Sequence, residues 1–298
     1  MFFTFYTLRF TKMLQITLIG YPLAHSVSPA MHNAAFAALG IEGCYTALPT
    51  PPGQLAATVR GLAAAGYCGA NVTIPHKQAV MPLLDELSAA AQAIGAVNTI
   101  CVQRRGDVTT LRGDNTDWLG FLQPLDASGF DVAGKRALLL GAGGSARAVV
   151  YALLRRGLSE LHILARNNDQ AAALARHTLT LAPRLTIHHS PLPHLSTCPP
   201  AHLLINTTPL GMWPQVNTSP WPDDLPLPAG ALAYDLVYRP ERTRFLQQAQ
   251  AAGCAIQGGL AMLVGQGAAA FELWSGHTPP AEVMLAAARA ELDGVSET

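Results

Sequence analysis

The chain has 298 residues, of which 50% are hydrophobic and 13% are charged. A chain of this length is expected to form about two domains, and its apolar content is enough for a large core, which excludes a disordered or fibrous protein. The 19 basic and 19 acidic residues cancel, so the net charge predicts neither a nucleic acid nor a membrane surface as a partner.

Three further features of the sequence concern location. The first twelve residues are apolar, but their positive charges follow the apolar run, which is not typical of a secretory signal. We interpret them as an extension or a misassigned start ahead of Met13. No stretch reaches the ~20 uninterrupted apolar residues that span a bilayer. The five cysteines are scattered without a CxxC pair, which predicts reduced thiols in a cytoplasmic protein rather than a disulfide framework.

The first half of the chain alternates predicted strands and helices. A buried strand, "LQITLIG" (14–20), precedes a helix over 28–40 in which Ser28 is the predicted N-cap, Pro29 the first helical residue and Gly40 the stop. Further on, "CYTALPT" and "GANVTI" are predicted strands, and "GQLAATVRGLAAAG" and "HKQAVMPLLDELSAAAQAIG" are predicted helices. The segments "AVNTICVQ" and "VTTLRGDN" predict a hairpin.

The same alternation restarts at Lys135. The segment "RALLLGAGGSARAVVYALLRRG" predicts a strand, a glycine turn and a helix, and four further strands are predicted at "ELHILAR", "AHLLINTT", "ALAYDLVY" and "CAIQGG". Strands that alternate with helices are typical of parallel sheets, so we expect an α/β fold with two parallel sheets. Two last helices, over 260–275 and 280–292, are expected to pack back onto the first half.

The glycine turn predicts a nucleotide site. Gly141, Gly143 and Ala146 fit the pattern G-x-G-x-x-G/A directly between a strand and a helix. Glycines let the backbone approach a pyrophosphate, and the helix N-terminus offers free N–H groups to its charge. The alternative is a tight turn that binds nothing, and the strand–turn–helix context favours the nucleotide.

The end of the next strand bears on which nucleotide binds. A carboxylate there would bind the ribose hydroxyls of NAD, but the chain has Ala165 followed by Arg166, whose guanidinium suits the 2′-phosphate of NADP. Asp169 lies nearby and weakens that preference. The alternative for Arg166 is a solvated loop arginine. The pattern favours NADP.

Several polar residues of the first half are candidates for substrate binding. Ser26 and Ser28 stand at the mouth of a helix and could hold a carboxylate, although Ser28 taken alone is better explained as an N-cap. Asn71 and Thr73 share one face of a predicted strand and could hydrogen-bond a polyhydroxylated ring. No metal site is predicted, because mixed spacing and the lack of an acidic or thiol set argue against it at three histidines, His25, His32 and His76.

Lys77 and Asp117 are the candidate catalytic pair. Lys77 follows a strand at the predicted start of a helix, whose dipole disfavours an ammonium group, and such a lysine suits proton transfer near neutral pH. Asp114 and Asp117 follow the last strand of the first half, where a cleft between domains is expected, and Asp117 is the better placed partner. A surface lysine and turn-forming aspartates are the alternatives for each residue taken singly.

With these residues identified, the chain resembles the shikimate dehydrogenase family, whose members are NADP-linked enzymes of aromatic amino-acid biosynthesis. The resemblance covers about residues 13–292. It is carried by eight motifs in the family's order: "GYPLAHSVSPAMHN", "GANVTIPHK", "GAVNTI", "GDNTDWLGF", "GAGGSAR", "NTTPLGM", "YDLVY" and "GLAMLVGQGAAAFELW".

The resemblance implies a fold and an activity. It implies an N-terminal α/β substrate-binding catalytic domain, residues 13–116 plus 260–298, and a Rossmann-type NADP-binding domain, residues 117–259. The implied reaction is the reversible NADPH-dependent reduction of 3-dehydroshikimate to shikimate, with Lys77 as general acid/base beside Asp117.

The resemblance also implies two sets of binding residues. The substrate would be bound by Ser26, Ser28, Asn71, Thr73, Asn98, Asp117, Tyr238 and Gln266. The cofactor would be bound by Gly141, Ala142, Gly143, Gly144, Ser145, Ala165, Arg166, Asn167, Leu236 and Gly259.

Alternatives stay open within and outside this family. Family members often have Asn-Arg-Thr and a second arginine where this chain has "ARNNDQ", so a quinate/shikimate dehydrogenase of broader specificity that uses NAD is one alternative. The pair Ser26 and Ser28 is typical of shikimate-type members and favours shikimate mildly. A non-catalytic ligand-sensing relative is another alternative, and retention of Lys77 with Asp117 argues against it. A homodimer is left open.

Overall fold

The structure is a computed structural model that describes residues 13–294. The extension expected at residues 1–12 lies outside the described residues. Two six-stranded sheets and the helices that connect their strands form this part of the chain. The α/β fold predicted from the sequence is therefore confirmed.

The first sheet is mixed. Its strand order is β2-β1-β3-β5-β6-β4, with β1 parallel to β2 and β3, and with β5 antiparallel to both β3 and β6. The strands are β1 (Leu14–Gly20), β2 (Gly43–Pro49), β3 (Gly69–Val72), β4 (Glu86–Leu87), β5 (Thr99–Arg105) and β6 (Val108–Asp114). The expectation of a parallel sheet in this half is wrong, because a two-residue turn joins β5 to β6 and such a short connection allows only antiparallel pairing.

The second sheet is parallel throughout. Its order is β12-β11-β10-β7-β8-β9, which is the Rossmann order when β7 is counted as the first strand. The strands are β7 (Arg136–Leu140), β8 (Glu160–Ala165), β9 (Thr186–Pro191), β10 (Leu203–Asn206), β11 (Leu232–Asp235) and β12 (Ala255–Gln257). Strand order reverses between β7 and β10, and ligands of open α/β sheets bind beside that point, at the carboxyl ends of the strands.

Nine α-helices lie in the described part of the chain. They are α1 (Ser28–Leu39), α2 (Leu55–Gly61), α3 (Ala89–Ile94), α4 (Asp117–Ala127), α5 (Gly144–Arg155), α6 (Asn168–Leu181), α7 (Arg244–Ala251), α8 (Gly259–Ser275) and α9 (Ala281–Gly294). Helix α1 ends at Gly40, as predicted, but its N-cap is Val27. The assignment of Ser28 as N-cap is wrong by one position, because the helical conformation already includes Ser28.

The helix predicted over 76–95 is largely wrong. The segment contains isolated turns, a 3₁₀ helix at Met81–Leu83, the short strand β4, and only then α3. Backbone groups of this segment pair with β6, since the N–H of Asp85 donates to the carbonyl of Leu111 and the Asp85 carboxylate accepts from the N–H of Leu111. Pro82 cannot donate a helical hydrogen bond, and sheet pairing replaces the helix.

The last two helices return to the first sheet, as expected. Phe271 of α8 and Met284 of α9 are fully buried in one cluster with Phe36 and Tyr45. The indole of Trp274 also donates a 2.9 Å hydrogen bond to the carbonyl of Ile100 in β5. The C-terminal helices therefore complete the core of a sheet whose strands come from the first 114 residues.

Candidate active site

Lys77 and Asp117 form a buried ion pair between the two sheets. Lys77 Nζ lies 2.6 Å from Asp117 Oδ2, and the side chains are only 13% and 5% exposed. Lys77 Nζ also lies 3.3 Å from the hydroxyl of Ser145, in the first turn of α5. Two charges removed from water are stable only with close geometry and additional hydrogen bonds. The structure supplies both.

The backbone conformation at Lys77 differs from the one predicted from the sequence. Lys77 lies in a turn after β3, where its carbonyl accepts from the N–H of Val97 at 2.7 Å. It does not begin a helix, so the argument from a helix dipole is wrong. Asp117 is the first residue of α4 and is 4% exposed. Lys77 is therefore paired with the carboxylate of Asp117, and it does not lie at the N-terminus of a helix.

Asn98 connects this ion pair to two neighbouring elements. Its amide Nδ2 lies 2.8 Å from Asp117 Oδ1, 2.9 Å from the hydroxyl of Thr116 and 3.2 Å from Gln266 Oε1. Its Oδ1 accepts a 2.7 Å bond from the N–H of Thr116. The carboxylate of Asp117 is therefore oriented from both sides, by an amide at one oxygen and an ammonium at the other.

Asp114, the second carboxylate of "GDNTD", has a different environment. Its Oδ1 accepts from the hydroxyl of Ser88 at 2.7 Å and from the N–H of Asn115 at 2.7 Å. Ser88 is the N-cap of α3, because its hydroxyl accepts from the N–H of Ala91. Asp114 therefore fixes the start of α3, and Asp117 alone faces Lys77.

The remaining predicted substrate residues lie around this centre. Asn71 is buried at the end of β3 and donates from Nδ2 to the carbonyl of Asn98 at 3.1 Å. Thr73 follows β3 and is half-buried. Ser28 is buried, and its N–H donates to the Ser26 hydroxyl at 3.3 Å. The Ser26 hydroxyl thereby satisfies a free donor at the start of α1.

The glycine turn touches the ion pair directly. Gly141 has φ +109°, which a side chain would strain, and a Cβ at Gly144 would lie 2.8 Å from the Cβ of Lys77. Gly143 has open space where a side chain would point. The turn therefore packs closely against Lys77 at Gly144 and leaves open space beside the Cα atom of Gly143, at the N-cap of α5.

The residues after β8 differ in exposure. Ala165 is buried at the strand end, and Arg166 is exposed. Within residues 13–294, no ion pair or hydrogen bond joins the Arg166 side chain to another residue. Asn167 is the N-cap of α6, where its oxygen accepts from the N–H groups of Asp169 and Gln170. The guanidinium is thus free for an anion, whereas the Asn167 oxygen is already engaged.

The ends of β10 and β11 are fixed by a buried aspartate. Asp235 Oδ1 accepts from Asn206 Nδ2 at 2.9 Å, and Oδ2 accepts from the Thr243 hydroxyl at 2.6 Å. Burial raises the pKa of Asp235 to about 6, against the effect of these hydrogen bonds. Beside it, Gly259 packs against the carbonyl of Leu236. Leu236 and Gly259, both expected to bind the cofactor, are therefore in contact.

Tyr238 borders the predicted carboxylate end of the site. It is half-buried and packs on a cluster that includes Val27, the residue between Ser26 and Ser28. Burial raises the pKa of its hydroxyl, and Arg239 opposes that shift. A cavity of about 410 Å³ also opens at Ser26. Neither Lys77 nor Asp117 lines this cavity, so it is not the space in which we place reacting atoms.

Two neighbours of the site were not found from the sequence. Trp213, in the loop after β10, stacks edge-on against His25 with ring centroids 4.1 Å apart, and the guanidinium of Arg239 lies 4.7 Å from its ring. Tyr45 of β2 bonds to Asn71 at 2.8 Å. Tyr45 is the one buried residue of the edge strand β2, and Trp213 lies in a proline-rich loop, so no sequence pattern marked either residue.

Two kinds of feature are absent from residues 13–294. No group of three or more His, Cys, Asp or Glu side chains in that range could hold a metal ion. None of its helices is both long enough and apolar enough to cross a bilayer.

Two family models match the chain at its two ends. Residues 18–100 match the shikimate dehydrogenase substrate binding domain. Residues 259–289 match the shikimate 5′-dehydrogenase C-terminal domain. The first match includes Asn71, Lys77 and Asn98, and the second includes Gln266.

Named relatives match over nearly the whole length. The shikimate dehydrogenase (NADP(+)) of Moorella thermoacetica is 47% identical over 271 residues, which cover 90% of each chain. The crystal structure of shikimate 5-dehydrogenase from Thermus thermophilus in complex with NADP(H) and shikimate is 42% identical, with a TM-score of 0.81, and covers 94% of this chain and 100% of that one. Quinate dehydrogenase from Corynebacterium glutamicum in complex with NAD is 30% identical, with a TM-score of 0.83, over 93% and 99% of the two chains.

Proposed function

Because the chain belongs to the shikimate dehydrogenase family, we propose that it catalyses the reversible NADP-dependent interconversion of 3-dehydroshikimate and shikimate. The reaction is an oxidoreduction at a CH–OH group and serves aromatic amino-acid biosynthesis. The cytoplasm is the proposed location. One observation carries the proposal above the others: Lys77 and Asp117 form a buried pair between the two sheets, within reach of the glycine turn.

The second sheet fits NADP. The open space at Gly143 and the N-terminus of α5 suit a pyrophosphate, and the exposed guanidinium of Arg166 suits a 2′-phosphate. Leu236 and Gly259 are the proposed neighbours of the nicotinamide. When bound, NADP accepts a hydride from the substrate or, as NADPH, supplies one.

Lys77 is the proposed acid/base. In the direction of reduction its ammonium donates a proton to the oxygen that becomes the C3 hydroxyl, and in the direction of oxidation its amine takes that proton back. Asp117 holds the Nζ atom at 2.6 Å and is itself oriented by Asn98. The contribution of these groups is their fixed placement, which avoids reorganisation during the reaction.

The other substrate contacts follow from the same arrangement. Ser26 and Ser28 are proposed to hold the substrate carboxylate, with Tyr238 beside them. The ring hydroxyls are proposed to bind the polar groups near the ion pair: Asn71, Thr73, Asn98, Asp117 and Gln266.

The domain limits are also proposed. Residues 13–116 plus 260–298 form the substrate-binding domain, and residues 117–259 form the NADP-binding domain. The first limit falls between β6 and α4, directly before Asp117, and the second falls at the start of α8. Assembly as a homodimer is a further prediction, to be tested by analytical ultracentrifugation.

A direct assay tests the proposal. Purified protein is given shikimate or quinate with NADP or NAD, and reduced cofactor is followed by absorbance. We expect the highest kcat/KM with shikimate and NADP. Higher kcat/KM with quinate and NAD would favour the broader enzyme, and absence of turnover with every pair would favour a ligand-sensing protein.

A further inference from the structure

A buried threonine links the side chains of two proposed substrate residues. Thr99, the first residue of β5, is 0% exposed and is not itself among the proposed substrate contacts. Its hydroxyl lies 2.9 Å from Asn98 Oδ1 and 3.3 Å from Asn71 Nδ2. The arrangement of hydrogens in such a group can be worked out, because each side-chain amide atom is either a donor or an acceptor.

The chemistry of these atoms sets the direction of each hydrogen bond. Asn98 Oδ1 can only accept, so Thr99 donates its single hydrogen to it. The Thr99 oxygen then retains only lone pairs, one of which accepts from Asn71 Nδ2. The hydrogen bonds therefore run in one direction, from Asn71 through Thr99 to Asn98.

The amide of Asn71 is also oriented by other neighbours. Its Nδ2 donates to the carbonyl of Asn98 at 3.1 Å, so Oδ1 is the atom that accepts from the hydroxyl of Tyr45, at 2.8 Å. The Tyr45 ring stacks on the ring of His32 with centroids 4.3 Å apart. The Asn71 amide is therefore anchored through β2 and α1, and it presents a hydrogen to Thr99.

At Asn98, the hydroxyl of Thr99 acts together with a backbone group. Asn98 Oδ1 also accepts from the N–H of Thr116 at 2.7 Å. One donor would decide only which end of the amide faces it, whereas two donors from different elements hold the plane of the amide. The opposite end of that plane carries Nδ2, which donates to Asp117 Oδ1 at 2.8 Å. The other oxygen of Asp117 holds Lys77 Nζ at 2.6 Å.

We propose that Thr99 is a positioning residue, which fixes the amide of Asn98 and, through it, the carboxylate of Asp117. This inference rests on the proposed function, since it concerns how that site is held in place. Thr99 is fully buried, so it acts through Asn98 and Asn71 and does not touch the reacting atoms. Polar groups that are fixed in advance need less reorganisation during the reaction.

The variant Thr99→Val tests the proposal because valine keeps the branched shape of threonine and lacks the hydroxyl. Asn98 Oδ1 loses one of its two donors and Asn71 Nδ2 loses an acceptor, so we expect kcat to fall about tenfold and the KM for shikimate to rise about threefold. The KM for NADP should stay constant, because the glycine turn loses no contact. Unchanged kcat and KM for shikimate would overturn the proposal.

The variant Thr99→Ser separates the hydroxyl from the packing of the methyl group. Serine keeps the donor, so kcat and both KM values should stay within about twofold of the unmodified protein. If the side chain only filled space, serine would leave a cavity and should be more damaging than valine. That order of effects would contradict the proposal. If Thr99→Val does not fold, Thr99→Ala also lacks the hydroxyl and should show the same loss relative to Thr99→Ser.

Thr178→Val is the matched control. Thr178 is fully buried on α6, and its hydroxyl donates to the backbone carbonyl of Leu174 at 2.8 Å. The same chemical change outside the site should leave kcat and both KM values unchanged. Equal losses in Thr178→Val and Thr99→Val would show that the effect is a general one of removing a buried hydroxyl.

A double-variant cycle tests the route through Asn98. In an Asn98→Ala background, Thr99→Val should lower kcat several-fold less than it does in the unmodified protein, and fully independent effects would contradict that route. Absence of turnover by the unmodified protein would instead refute the proposed function.

Discussion

The two sheets provide their binding groups in opposite ways. On the first sheet, buried side chains are joined into one hydrogen-bonded set, and Asn71, Asn98 and Asp117 are each at most 5% exposed. On the second sheet, the predicted cofactor site has open space at Gly143, at the start of α5, and an exposed side chain at Arg166. The polar groups on the first sheet are therefore held in position before a ligand binds. The exposed side chain on the second sheet is ordered only when a ligand binds.

This difference predicts how each half responds to substitution. A buried polar group that loses its partner keeps its full desolvation cost, so single changes on the first sheet should have large and cooperative effects. An exposed side chain loses only its own contact with the ligand, so changes on the second sheet should have graded effects limited to the cofactor.

The largest effect is expected at Lys77, where the two halves meet. Lys77→Ala removes the proposed proton donor, and we expect kcat to fall at least ~100-fold with a modest change in the KM for shikimate. Steady-state kinetics measure both values. Lys135→Ala is the control, since Lys135 lies over the ring of Phe130 and outside the site; it should have normal kinetics. A large rise in KM with unchanged kcat would assign Lys77 to binding.

The next effect is expected at Arg166. Arg166→Ala removes a charge-assisted contact to the 2′-phosphate, worth about 1.5–3 kcal/mol, so the KM for NADP should rise roughly 10- to 100-fold while the KM for NAD stays constant. Arg176→Ala, another exposed arginine, on α6, should change neither value. Equal losses with both cofactors would show that Arg166 does not recognise the 2′-phosphate.

A smaller effect is expected at Trp213, which joins the two halves at the mouth of the site. Trp213→Ala removes an aromatic contact to His25, next to Ser26, and such contacts are worth about 0.5–1.5 kcal/mol. The KM for shikimate should therefore rise roughly two- to tenfold. Met212→Ala, at the neighbouring exposed residue, should leave it unchanged. If the two variants behave alike, the contact does not hold the Ser26 segment.

The smallest effect on activity, but a clear effect on stability, is expected at His32. Burial lowers the pKa of His32 from 6.5 to about 3. The unfolded chain takes up a proton below pH 6.5, whereas the folded chain does not until about pH 3. The neutral ring therefore contributes stability that is present above pH 6.5 and is lost as the pH falls toward 3, by roughly 1.4 kcal/mol per pH unit.

The variant His32→Phe should remove that dependence. Its ring can still stack on Tyr45, but it does not titrate, so the free energy of unfolding should fall less steeply between pH 6.5 and pH 4. Denaturant unfolding at several pH values measures the slope. His194→Ala, at an exposed histidine, should keep the steep slope. The account of His32 is wrong if both variants lose stability with pH as the unmodified protein does.

Much of the fold could be predicted from the sequence because local signals agreed with tertiary structure. For the strand before Gly141 and the helix after it, the hydrophobic pattern, the turn residues and the segment lengths all predict the same elements. The helix over 76–95 failed because its pairing partner, β6, is distant in the sequence and its propensity gave no sign of that sheet contact. The mixed order of the first sheet was missed although its hairpin was predicted.

The candidate site, too, was predicted only in part from the sequence. Lys77 and Asp117 were predicted because each follows a strand and a cleft is expected where the first half ends, and the structure places them 2.6 Å apart. Tyr45 was missed because a tyrosine on a predicted strand looks the same in the sequence whether or not its hydroxyl has a partner. The contact of His25 with Trp213 joins residues of the two halves, and no local pattern encodes such a pair.

Proton transfer by Lys77 is best tested by a single-turnover measurement of NADPH formation by Lys77→Ala with saturating shikimate and NADP. We expect a rate at least ~100-fold below that of the unmodified protein, with partial recovery when ethylamine replaces the missing side-chain amine. A rate close to that of the unmodified protein, without added amine, would contradict the assignment of proton transfer to Lys77 beside Asp117.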